Sequence, residues 1–135
     1  MKLRAILNCL LLAWALFAFG LLVSGSAWLE WPLPLGLPFG NLLAASIPCA
    51  LALLAWRLGR AGTWQRRWAG GALVASGLWL PVSVVMAGNL ALDFSGDRGA
   101  VWLGFSAVVV VAVVVGLVWG GVGWVLLVCR RKRRS

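Results

Sequence analysis

Between Ala100 and Val128 the chain runs for 29 residues without a charge, then turns basic at Arg130-Arg131-Lys132-Arg133-Arg134. A bilayer core about 30 Å thick takes roughly 20 apolar residues as a helix, so this run is long enough to cross one. Twelve of the 29 residues are Val, which in water favours strands. Hydrocarbon overrides that preference, because every backbone N–H and C=O must be satisfied within the segment or in a closed barrel. The alternation of a barrel strand is absent, and the run predicts a helix. At helical rise it reaches about 43 Å, so it must tilt or place its ends among the headgroups.

Three further apolar stretches follow the same logic. The predicted spans are residues 5–26, 40–57, 68–88 and 100–128. They are joined by outer loops 27–39 and 89–99 and an inner loop 58–67, with a basic tail at 129–135, all in a single membrane domain. The first stretch ends in Ser24-Gly25-Ser26, which would suit signal-peptide cleavage. Its apolar part, Ala5–Val23, exceeds the roughly 7–15 residues of a signal-peptide core, and a retained helix is expected. Asn8 is expected to bond a neighbouring helix or reach the interface. Pro32, Pro34 and Pro38 exclude regular helix from the first outer loop, where Trp28 and Trp31 suit an interfacial belt. Asn41 reads as the N-cap of the second helix. Pro48 and Pro81 leave the carbonyls of Ala44 and Gly77 without their helical donors, with a kink expected at Pro48.

Basic residues set the orientation. Eleven of the twelve lie in the N-terminal segment, the inner loop with Arg57 at its edge, and the tail; Arg98 alone falls on the other side, with Glu30, Asp93 and Asp97. The positive-inside rule then places both termini in the cytoplasm. The expected fold is an all-α integral membrane protein, an antiparallel four-transmembrane-helix bundle with both termini inside. The expected location is a bacterial inner membrane. A net charge of +9 in a soluble protein would suggest nucleic acid. Here the charges border apolar spans, and lipid is the expected partner instead. Arg57, Arg60, Arg66, Arg67, Arg130 and Arg131 are the candidate contacts to anionic lipid.

Without a hydrophobic drive between helices, small residues must let backbones approach. The first span carries Cys9, Ala13, Gly20 and Ser24 on one stripe; the third repeats those offsets at Ala72, Ser76, Ser83 and Ala87. The second carries Ala45, Cys49 and Ala52, and the fourth Ala112, Gly116, Gly120 and Gly123. These read as the inward faces. The indole N–H of Trp79 is within reach of a hydroxyl on its own face. Its ring reads as packed core or, more sharply, as the wall of an apolar cavity.

Several chemistries are missing. Apart from Arg57 at the inner edge of the second, the spans contain no Asp, Glu, Lys, Arg or His, so a side-chain proton relay or ion pathway has nothing to run on. The chain has no His at all, which excludes His-ligated haem and a His base. Cys9, Cys49 and Cys129 have no metal-site spacing and read as small buried apolar residues. No cofactor, metal or catalytic residue is expected. An outer rim of Glu30, Asp93, Asp97 and Arg98 remains as a candidate cation or partner contact, although the Asp-Phe-Ser-Gly-Asp stretch reads as a turn. The leading expectation is a non-enzymatic protein that binds another membrane component, as an accessory or assembly subunit or an immunity-type protein. Its partner would be another membrane protein or a second copy. The alternative is a small oligomeric channel, carrier or lipid-handling protein lined by Ser46, Ser76, Ser83 and Ser106 and by the proline-freed carbonyls.

Overall fold

A computed structural model describes residues 2–132, with the backbone alone for Lys2, Arg131 and Lys132. Among these residues there are four α-helices: α1 (Lys2–Val23), α2 (Phe39–Leu58), α3 (Trp64–Ala87) and α4 (Asp97–Lys132). All four are long and apolar enough to cross a membrane.

The boundaries differ from expectation where capping chemistry decides them. α1 stops at Val23, three residues early, because Gly25 takes a left-handed φ of +61° and the Ser24 hydroxyl turns back to the Leu21 carbonyl. Asn41 is not the cap of α2. The helix starts after Pro38, and the Phe39 N–H is met by the Trp31 carbonyl at 3.0 Å, so the loop satisfies a donor that a capping side chain would otherwise take. α3 begins at Trp64, four residues earlier than the expected span. Thr63 is its N-cap and accepts from the Arg66 N–H, which a Thr does well. The inner loop therefore shrinks to one tight turn. Gly62 supplies its positive φ of +77°, and the Thr63 N–H closes onto the Arg60 carbonyl at 3.2 Å. α4 has 36 residues and runs past Cys129 into the basic segment.

The first outer loop is irregular but ordered. A 3-10 turn at Ala27–Glu30 lies against the start of α2, close enough that a Cβ on Gly40 would sit 3.2 Å from the Leu29 carbonyl oxygen. Beyond it, Pro32 and Pro38 form an isolated bridge around a turn in which Leu35 is held at φ +90°. That side chain is 89% exposed.

The core is built from small residues. Nine of the thirteen buried apolar residues are alanines, while the exposed ones include Leu10, Leu16, Phe17, Phe19, Val108 and Val118. Large side chains outside and small ones inside is the reverse of a water-soluble core and suits helices packed in lipid. α2 is the central helix: it packs on α1, α3 and α4, and α3 also packs on α4, whereas α1 leans chiefly on α2. A closed ring of four equivalent helices is not formed. At one end the start of α1 meets the end of α2, where Arg57 Nε donates to Asn8 Oδ1 at 2.9 Å. At the other, the start of α4 meets the end of α3, where Trp102 Nε1 donates to Ser83 Oγ at 2.8 Å.

Candidate functional site

Tryptophan and serine join the helices. Trp14 of α1 donates to Ser46 Oγ of α2 at 3.1 Å, and Trp79 of α3 donates to Ser106 Oγ of α4 at 2.8 Å. Trp68 donates to the Ala112 carbonyl at 3.0 Å. The Trp102–Ser83 bond continues through the Ser83 hydroxyl to the Trp79 carbonyl at 2.6 Å, so the half of the α3–α4 seam nearer their connecting loop is one chain of bonds. Phe94 caps it, stacked on Trp102 with ring centroids 4.5 Å apart. An indole presents an apolar body and one donor, which fits a seam with few acceptors. The Trp79 partner is Ser106 on α4 rather than Ser76 or Ser83 on its own helix. Ser76 turns back to the Ala72 carbonyl at 2.7 Å and Ser46 to that of Leu43 at 2.7 Å. All four serines are engaged in bonds within or between helices.

Because α1 leans on α2, a cleft of about 380 Å³ opens between α1, α2 and α4. Phe19 and Leu22 form one wall, Ala44, Ile47, Pro48 and Leu51 the second, and Val109, Val110, Val113 and Val114 the third; Trp79 and Ser106 close the back. The lining is almost wholly apolar, so the cleft offers shape and dispersion contact rather than reactive groups.

The expected packing residues fall in two groups. On α3, Ala72, Ser76 and Ser83 are buried; on α4, Gly116 and Gly120 are buried and Gly123 half-buried. The α1 stripe requires correction. Cys9, Ala13, Gly20 and Ser24 are exposed, and no atom of another helix lies within 4 Å of a Cβ placed on Gly20. The packed face is instead Ala15 and Ala18, with Asn8, Leu11 and Leu22 half-buried. At 100° per residue that face lies about 180° from the expected stripe. The bond from Arg57 to Asn8 and the bond from Trp14 to Ser46 fix this rotation. The cysteines are not buried either: Cys9 and Cys129 are exposed and Cys49 half-buried.

The arginines at the α2–α3 turn and at the end of α4 have separate surroundings. Arg57 is tied to Asn8, and the Arg66 guanidinium lies over the Trp56 ring, 4.2 Å from its centroid. Arg60, Arg67 and Arg130 are exposed, and the Arg131 side chain lies outside the described residues. At the opposite end Glu30, Asp93, Asp97 and Arg98 are all exposed but do not converge. Asp97 and Arg98 border a shallow recess with Val85, Met86 and Val101, in which neither Glu30 nor Asp93 takes part. Asp97 lies in the first turn of α4, where a negative charge favours the helix dipole. Among the described residues no group of three or more His, Cys, Asp or Glu side chains is placed to hold a metal.

Gln65 was not singled out in the sequence, where it lies in a stretch read as loop. In the structure it is in the first turn of α3, only 9% exposed, and faces Gly120 and Gly123 of α4. The sequence signal was Thr63, a capping residue two positions before it. No family model, no curated protein and no solved structure matches the chain.

Proposed function

We propose that the chain is a non-enzymatic four-span membrane protein, antiparallel, with both termini in the cytoplasm of a bacterial cell, and that it binds another membrane protein through α1. The observation that carries this reading is the two-faced packing of α1. One face, Ala15 and Ala18, is spent on α2; the opposite one presents Ala13, Gly20 and Cys9 outward. Small residues on an outward stripe let a second helix approach closely. The adjoining cleft provides a further apolar surface beside it. Binding is favoured over conduction because the serine hydroxyls of a would-be pathway are engaged in holding helices together. The arginines of the inner end contact anionic lipid and fix orientation, each contributing about 1 kcal/mol.

The test is purification from native membranes in mild detergent, with a photocrosslinking residue at position 13 or 20. A stoichiometric membrane protein, crosslinked from these positions and lost on Gly20→Leu, is expected. Gly104→Leu makes the same change at an open position on α4 and should leave the partner bound. A partner-free protein whose reconstituted form passes solute would overturn the proposal. A crosslink between identical chains would replace the foreign partner by a second copy.

A further inference from the structure

Among the described residues, packing leaves one buried side-chain polar atom without a partner. The Gln65 amide nitrogen is buried and has no hydrogen-bond acceptor. A buried N–H without a partner is destabilising, and native structures rarely keep one without a use. It is held there by the absence of side chains opposite. A Cβ on Gly120 would sit 3.4 Å from Gln65 Nε2, and one on Gly123 3.6 Å from Oε1 and 3.7 Å from Nε2.

Gln65 lines a half-open pocket of about 180 Å³ with Leu58, Arg60, Gly123, Leu126, Leu127 and Arg130. Arg60 comes from the tight turn before α3 and Arg130 from the last turns of α4. Among the described residues no Asp or Glu side chain balances them: Glu30 and Asp93 lie in the α1–α2 and α3–α4 connections and Asp97 in the first turn of α4, all at the opposite end of the helices. The pocket also adjoins the N-terminal end of α3, where unpaired backbone N–H groups favour negative charge. Two guanidiniums without an acidic partner, a helix N-terminus and an orphaned amide donor all suit the same ligand, an oxyanion with several acceptor oxygens. The leucine walls add that the anion is amphiphilic.

We propose that this pocket binds the phosphate of one anionic phospholipid. Arg60 and Arg130 hold the phosphate oxygens by charge-assisted bonds. Rotation about the last side-chain torsion of Gln65, which is broad and nearly two-fold, brings Nε2 to face a third acceptor. Leu58, Leu126 and Leu127 cover the glycerol and the first methylenes. This is a single saturable site, distinct from the general attraction of the arginines for lipid. It rests on the four-span reading but not on a protein partner.

The test is native mass spectrometry of the full chain in a neutral detergent, titrated with phosphatidylglycerol or with zwitterionic phosphatidylcholine. One phosphatidylglycerol per chain is expected, bound about tenfold more tightly than phosphatidylcholine, with a loss of about tenfold for Arg60→Ala and for Arg130→Ala. Arg4→Ala removes the same charge outside the pocket and should change little. Gln65→Leu should weaken the lipid severalfold while raising the unfolding midpoint of the lipid-free protein, because the orphaned donor is gone. Gln65→Glu gives the arginines an internal carboxylate and should abolish binding without unfolding the chain. Displacement of the lipid by millimolar inorganic phosphate would assign the site to the phosphate group alone; no displacement assigns it to the lipid. Equal binding of the two lipids, or an Arg4→Ala loss matching that of Arg60→Ala, overturns the proposal. Release of the chain from membranes by alkaline carbonate would overturn the four-span reading instead.

Discussion

Gly120 and Gly121 are neighbours on α4, yet an added methyl group meets different surroundings at each. At Gly120 the Cβ would lie 3.2 Å from the Leu58 Cβ, 3.4 Å from Gln65 Nε2 and 3.6 Å from the Ala55 carbonyl oxygen; at Gly121 nothing lies within 4 Å. Carbon atoms pack best at about 3.5–4.0 Å. The closest atom at Gly120 is a Cβ fixed to the α2 backbone, so the helices must part by a few tenths of an ångström. Both substitutions to Ala gain the same helix propensity, up to about 1 kcal/mol over Gly, and that gain cancels in the comparison. What remains is overpacking, which costs about 1–3 kcal/mol. Gly120→Ala is therefore expected to be less stable than Gly121→Ala by about 1–2 kcal/mol, a factor of roughly 5–30 in the unfolding equilibrium. The assay is titration with sodium dodecyl sulfate from mild detergent, following tryptophan fluorescence in parallel for both variants. Equal midpoints would refute the assignment of Gly120 to the α2–α4 contact and of Gly121 to open space.

Further predictions concern the seam, the loop and the orientation. Trp79→Phe should cost about 0.5–1.7 kcal/mol, and a double-mutant cycle with Ser106→Ala should recover most of it as coupling; additive losses would show that the 2.8 Å bond contributes nothing. Leu35 is held at φ +90°, so Leu35→Val should destabilise by about 1 kcal/mol or more, whereas Leu35→Gly should be neutral or mildly stabilising. Thermal unfolding of the two variants checks this. In sealed right-side-out vesicles a membrane-impermeant maleimide should label an introduced Ser95→Cys and leave Cys129 unlabelled until the vesicles are opened. The reverse pattern would invert the orientation.

The features legible in the sequence are those set by one segment and its solvent. Four apolar stretches become four helices because hydrocarbon leaves a backbone no other way to satisfy its donors within a segment. Val-rich α4 shows that this holds against propensity. The small-residue faces of α3 and α4 could be read as well: Ser76, Ser83, Gly116 and Gly120 recur at helical spacing, and all four are buried. On α1 the same reasoning chose Ala13 and Gly20, on the side opposite Ala15 and Ala18. That helix carries small residues on two opposite sides, and periodicity alone does not distinguish one stripe from the other.

Tertiary structure decided what depends on a partner elsewhere in the chain. Trp79 could reach a hydroxyl by sequence, but only the α3–α4 register selects Ser106 over Ser76. Arg57 lies 49 positions from Asn8, and their bond sets the rotation of α1. Gln65 looked like an ordinary residue of a polar loop. Thr63 moved it onto α3, and the missing side chains of Gly120 and Gly123 made room to bury it. Helix existence is a contest between one segment and its surroundings, so it can be read locally. Which face is buried, and which polar group is left without a partner, follows from how several segments share the same space.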